Sequence, residues 1–130
     1  MLRVTPIYAG LLGLLLVGLS IRVIQGRVRF RVGLGDGGNH DLTRRIRAQA
    51  NCAEYAPFGV LLLAIAELQG AGTLWLHGFG AILLIGRLAH ATGLSGSGGE
   101  SPLRSVGMAL TFAALIGLSL LCLGRAFGAI

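Results

Sequence analysis

Four long apolar blocks decide what this chain can become. Apolar residues run almost unbroken through Val4 to Ile24, Thr43 to Leu68, Thr73 to Thr92 and Pro102 to Phe127, instead of alternating with polar ones. Each block comes near the roughly 20 helical residues needed to cross a hydrocarbon core of about 30 Å. In lipid every backbone amide and carbonyl must find its partner inside the segment, so the blocks predict helices and not open strands. The chain reads as an all-α integral membrane four-helix bundle, one domain over residues 1–130 with no internal repeat. Composition agrees, with 54% hydrophobic and 12% charged residues. Arg3 ahead of the first block would suit a signal peptide. No small-residue cleavage site follows that long run, which is therefore read as a span.

The net charge of +6 rests on 11 basic residues, all of them arginine. A nucleic-acid binder would also be basic but would not bury its chain in apolar spans, so that class is excluded. Arg22, Arg27, Arg29, Arg31, Arg44, Arg45 and Arg47 flank the first loop, and Arg87 and Arg104 flank the third. Arg3 and Arg125 stand alone at the opposite end. The positive-inside rule then places the first and third loops in the cytoplasm and both termini outside. Cys52 and Cys122 fall within spans and show neither metal nor redox spacing, so no metal site and no disulfide framework is expected. The 22 glycines suit close helix packing, and Gly124 and Gly128 stand at GxxxG spacing. Gly33, Gly35 and Gly38 in "GLGDGG" formally match GxGxxG. That fingerprint needs a preceding strand, whereas this stretch follows the arginine-rich end of a span and reads as a flexible loop. Asp41 or Thr43 is the expected cap of the second helix.

One stretch departs from the apolar background. In "RIRAQANCAEYAPFG", Arg47, Asn51, Glu54, Tyr55 and Phe58 stand at i, i+4, i+7, i+8 and i+11, along one stripe of a helix. Polar and ionisable groups at membrane depth are costly and usually line a cavity or pair across helices. Arg47 and Glu54 are two turns apart, so each is expected to need another partner. The bland alternative is that they snorkel or fix the bundle through interhelical hydrogen bonds.

The third span ends "GRLAHATG", with Arg87 and His90 one turn apart, and the fourth begins "SPLRSVG". There Ser101 can cap, Pro102 suits the first helical position, and Arg104 projects from the first turn. A cation at a helix N-terminus opposes the macrodipole, so an anion is expected beside Arg104, either a ligand or a lipid headgroup. Glu67 and His77 are expected at the outer interface. Arg47, Arg87 and Arg104, with an arginine from the end of the first helix, outnumber Glu54 at the cytoplasmic end. A basic pocket with one acid suits a small ligand carrying more than one carboxylate and one ammonium group.

The motif R-x-x-x-N-x-x-E-Y from Arg47 to Tyr55, with "GRVRFRV" before it at the end of the first helix, "GRLAH" in the third and "SPLRSV" in the fourth, resembles the MAPEG family, the membrane-associated proteins in eicosanoid and glutathione metabolism. The likeness covers nearly the whole chain and is similar in style to the small bacterial members. It implies a homotrimer in a bacterial inner membrane that binds glutathione at subunit interfaces near the cytoplasmic face. Arg47, Asn51, Glu54 and Tyr55 would hold glutathione, with Gln49 a weaker match, and Arg87 and His90 would join them. Arg27 and Arg29 both align with a further binding arginine. Arg104 matches the arginine that stabilises the thiolate. The resemblance implies a glutathione-dependent transferase or peroxidase acting on a lipophilic electrophile or hydroperoxide. The family also includes a non-catalytic lipid-binding protein, which leaves a scaffold role as the alternative. Leu94 and Met108 stand where the family's leukotriene and prostaglandin synthases have tyrosines, so neither eicosanoid reaction is implied.

Overall fold

Hydropathy marks where a helix meets lipid, but backbone hydrogen bonding carries it further. The computed structural model describes residues 1–95 and 101–129. Among these are four helices: α1 (Thr5–Phe30), α2 (His40–Leu68), α3 (Thr73–Ser95) and α4 (Pro102–Ala126). All four are long and apolar enough to cross a membrane. The first block was expected to stop at Ile24, yet α1 continues to Phe30 and carries Arg27 and Arg29 in its last turn. Cations there meet the negative end of the helix, so the helix outlasts its apolar part. Arg31 closes it in the left-handed conformation, φ 55°, its amide bonded to the Arg27 and Val28 carbonyls.

The α1–α2 connection is tied, not loose. Asp36 accepts hydrogen bonds from the Gly38 amide at 3.0 Å and the Thr43 hydroxyl at 2.8 Å. These donors hold its carboxyl below the ordinary carboxylate range. Gly35, Gly37 and Gly38 all take positive φ, which explains the glycine-rich spelling without a nucleotide. Asn39, and neither Asp41 nor Thr43, caps α2: its Oδ1 accepts the Leu42 amide at 2.9 Å. Asp41 instead pairs with Arg45 at 2.9 Å and Arg44 at 3.5 Å. Ser101 is the N-cap of α4 by backbone only, without a side-chain cap bond, and Pro102 follows it as expected.

At the far end Glu67 caps α1 across space. Its carboxylate accepts the Arg3 and Val4 amides on one oxygen and the Thr5 amide on the other. These are the donors that a helix start leaves unpaired. Tyr8 and His77 meet at 3.0 Å at the same end. Four helices return the chain to the face where it began, so both termini share this end.

Among the described residues α1 contacts α2 and α3, while α4 contacts only α2 and α3. Leu12, Leu63, Leu83 and Leu118 fill the interior. The closest helix pair is built on glycines other than the GxxxG pair. Gly128 lies past the end of α4 with φ +68°, so it cannot share a packing face with Gly124. A Cβ on Gly107 would instead collide with the His90 backbone and the Gly86 carbonyl, and one on Gly93 with the Arg104 backbone. Glycine lets α3 and α4 touch main chain to main chain at the arginine-rich end.

Candidate functional site

That contact sets the geometry of the polar residues. With α3 and α4 pressed together, Arg87 near the end of α3 has nowhere to snorkel, and its side chain is only 1% exposed. The interior must therefore satisfy its guanidinium. Nε donates to Thr111 Oγ1 on α4 at 2.9 Å. Nη1 donates to both the backbone oxygen and Oδ1 of Asn51 on α2. Nη2 reaches the Met108 sulfur at 3.2 Å, a weak acceptor. Its CZ atom lies 5.5 Å from the centre of the Tyr55 ring, and Tyr55 packs edge to face on Phe112 at 5.7 Å.

Arg87 thus ties α2, α3 and α4 together, and every partner on it is neutral. Among the described residues no carboxylate pairs with it. A buried cation with no anion is unfavourable in an apolar medium, more so at membrane depth. Asn51, Tyr55 and Thr111 offset part of that cost through dipoles and a ring face.

Arg47 and Glu54 behave differently. Two turns were expected to separate them, yet Arg47 Nη2 comes within 3.8 Å of Glu54 Oε1, because two long side chains lean toward each other along the helix. Their side chains are 55% and 53% exposed, so the pair contributes about 0–1 kcal/mol and exchanges readily. Pro57 lies just beyond, inside α2, and cannot donate the amide that would close the turn behind Tyr55.

His90 is 4% exposed, one turn from Arg87, against the glycine contact with α4. Arg104 is exposed and lines a recess of about 310 Å³ with Ser101, Pro102 and Ser105. Among the described residues its guanidinium has no hydrogen-bond acceptor. Arg104 and His90 are brought together through the backbone, since Gly93 seats the first turn of α4 on the last turns of α3.

Three of the sequence candidates lie outside this cluster within one chain. Arg27 folds over its own loop, donating to Gly35 O at 2.8 Å and Val32 O at 3.5 Å. Arg29 is exposed, its guanidinium 5.5 Å over the Phe30 ring, with no loop carbonyl on it. Gln49 is half-buried and makes no side-chain hydrogen bond among the described residues. Sequence reasoning missed Thr111. Its signal was a hydroxyl in the middle of an apolar span, four residues after the glycine on which α4 meets α3.

Comparison with known proteins bears on the family of the chain. A model of the MAPEG family matches residues 5–124, the full run of α1 to α3 and nearly all of α4. The chain is also 41% identical over 90 residues to the inner membrane protein YecN of Escherichia coli K12, covering 69% of each chain. The same protein of Escherichia coli O6:H1 matches to the same extent. Four apolar helices and a family match across nearly their whole length lead to one conclusion: the chain belongs to the MAPEG family.

Proposed function

We propose that this protein is a homotrimeric, glutathione-dependent transferase or peroxidase of a bacterial inner membrane, with both termini in the periplasm. The membrane assignment follows its relative, which is an inner membrane protein, and the orientation follows the arginine count. The observation that carries the reading is the charge imbalance at one end of the bundle. Arg47, Arg87 and Arg104 gather there; among the described residues Glu54 is the one carboxylate paired with any of them, through an exposed contact to Arg47, and the buried Arg87 has no carboxylate on it. Such a site is completed by a guest that brings more negative than positive charge. Glutathione has two carboxylates and one ammonium, and its thiol becomes a third anion on ionisation.

In this reading Arg47 exchanges Glu54 for a carboxylate of glutathione, and Glu54 turns to the ammonium. Asn51 and Tyr55 position the tripeptide over Arg87, with His90 beside it. Arg27 or Arg29, with Gln49, reaches the site of a neighbouring subunit, where Arg29 is the freer of the two arginines. Arg104 supplies the fixed positive charge for the sulfur, lowering the thiol pKa and raising the reactive fraction. The thiol proton leaves to water. The thiolate then attacks a lipophilic acceptor delivered through the bilayer. At carbon a C–S bond forms as a leaving group departs with its electron pair, or as a conjugated π bond opens and takes up a proton. At a hydroperoxide an S–O bond forms as the O–O bond breaks and the alcohol leaves, and a second glutathione then converts the sulfenic acid to disulfide and water.

The test is glutathione binding to the purified protein in detergent, followed by ultraviolet absorbance of the thiolate. The parent should bind glutathione with its thiolate formed near neutral pH, and Arg104→Leu should bind it but titrate higher. One pKa unit corresponds to about 1.4 kcal/mol, so a modest electrostatic role already removes several-fold of the thiolate. Unchanged titration in Arg104→Leu removes that residue from the mechanism and makes His90 the next candidate. A parent that binds lipid but neither binds nor ionises glutathione is the non-catalytic lipid-binding member of the alternative reading.

A further inference from the structure

The end of the bundle that carries the termini holds a second feature unrelated to the arginine-rich site. Between α3 and α4 a groove of about 530 Å³ is lined by Trp75, Phe79, Gly117, Leu120, Leu121 and Arg125. Trp75 and Phe79 stack at 6.1 Å with their planes 21° apart and form a flat wall. Gly117 has no side chain, which lets the Phe79 ring sit directly against α4 where a Cβ would collide with it. Trp75 and Leu120 are 61% and 63% exposed, so the groove opens sideways, where lipid would be.

The rim is polar and incompletely paired. Arg125 Nε donates to the Gln69 carbonyl at 2.8 Å, which fixes the plane of the guanidinium. Neither terminal nitrogen has an acceptor among the described residues. Gln69 donates from Nε2 to the Cys122 carbonyl at 3.3 Å and leaves its Oε1 buried with no partner. The rim therefore offers a cation whose plane is fixed by the Gln69 carbonyl, while Gln69 Oε1 stays buried. Among the described residues the rim has no acid to spare, because Glu67, the acidic residue near the end of α2, already holds three backbone amides. Nor is Arg125 part of a general basic surface, since only Arg3 joins it at this end.

We propose that this groove binds a membrane phospholipid whose headgroup is net negative, with its phosphate on the terminal nitrogens of Arg125 and one acyl chain along the Trp75–Phe79 wall. Arginine suits the phosphate because two parallel N–H groups match two oxygens. Among the described residues no free acid stands at the rim, which disfavours a zwitterionic head, whose ammonium would meet Arg125 unopposed. An aromatic wall beside a basic group at the membrane boundary is a setting in which headgroup and chain are read together.

Trp75 is the one tryptophan in the chain, so its fluorescence reports on this groove alone. The protein in detergent micelles is titrated with phosphatidylglycerol or phosphatidylcholine, each brominated on an acyl chain. Phosphatidylglycerol should quench Trp75 at a roughly fivefold lower mole fraction, the ratio expected of one arginine at an anionic headgroup. Arg125→Gln should bring the two curves together, and Arg125→Lys should keep part of the separation. Leu120→Phe, which narrows the groove, should weaken quenching by both. Coincident curves in the parent would reduce the feature to ordinary lipid contact. Quenching by neither lipid would mean that protein, such as a second copy of this chain, covers the groove. Both of these outcomes are read on the parent alone and overturn the proposal even if a variant fails to assemble.

Discussion

Removing the Thr111 hydroxyl should expose how Arg87 is kept in an apolar interior. Thr111 is fully buried, and its oxygen accepts from Arg87 Nε at 2.9 Å while donating to the Gly107 carbonyl at 2.8 Å. Thr111→Val keeps the branched shape, so the change is mainly the loss of an acceptor for a buried cation. A hydrogen bond to a charged group contributes about 1.5–3 kcal/mol, whereas pairs measured inside membrane bundles average about 0.6 and reach about 1.7. Because no carboxylate among the described residues pairs with Arg87, each neutral acceptor carries more of its desolvation, and a loss of ~1.5–2 kcal/mol is expected. The assay is equilibrium unfolding in mixed micelles of the parent, Thr111→Val, Arg87→Met and the double variant. The hydroxyl has little to do once the guanidinium is gone, so Arg87→Met should recover stability in the Thr111→Val background. Thr111→Ser should stay near the parent. A coupling below about 0.5 kcal/mol, or a double variant that simply adds the two losses, would refute the argument that Thr111 acts through Arg87.

Glu54→Ala should weaken glutathione binding roughly tenfold to a hundredfold, the loss of one charge-assisted bond, and leave unfolding nearly unchanged because its pair with Arg47 is exposed. Isothermal titration beside thermal unfolding checks both halves. Glu67→Ala should destabilise by about 1.5–3 kcal/mol and speed hydrogen exchange in the first turn of α1, whose amides it holds. Asp36 has a depressed carboxyl pKa, so its contribution is present above the ordinary value of 3.8 and is lost as pH falls through the lower folded value. Exchange protection of the Gly38 amide should therefore persist through pH 3.8 and disappear only below it.

The apolar blocks made the helices legible because lipid leaves the backbone no alternative. The ends of α1 and α2 were less so. Hydropathy stopped at Ile24 and began again at Thr43, while arginines suited to a helix C-terminus carried α1 to Phe30 and the Asn39 cap began α2 at His40. The stripe from Arg47 to Tyr55 was legible as a face, since helical spacing fixes direction. The reach of its side chains was not, which is why the Arg47–Glu54 pair was overlooked. Thr111 was hidden for a different reason. Its importance depends on where α3 meets α4, and that is set by Gly86, Gly93 and Gly107, three among 22 glycines with nothing in the sequence to single them out.

The two arginines of the α2–α3 face divide the work that a binding site needs. Arg87 is buried and held by Asn51, Thr111 and Met108, so moving it means breaking several bonds in an apolar medium. Arg47 is half in solvent and bound only at 3.8 Å to an equally exposed acid, so it can change partner at little cost. In the proposed function a rigid charge together with an exchangeable pair would let an anionic guest dock without first melting the bundle. Arg47 and Glu54 satisfy each other in the structure, and in the proposed function each turns to the opposite end of a zwitterionic guest. Arg87 gains from the same event without moving, because an anion brought near it relieves the cost of a charge that the described residues leave unopposed.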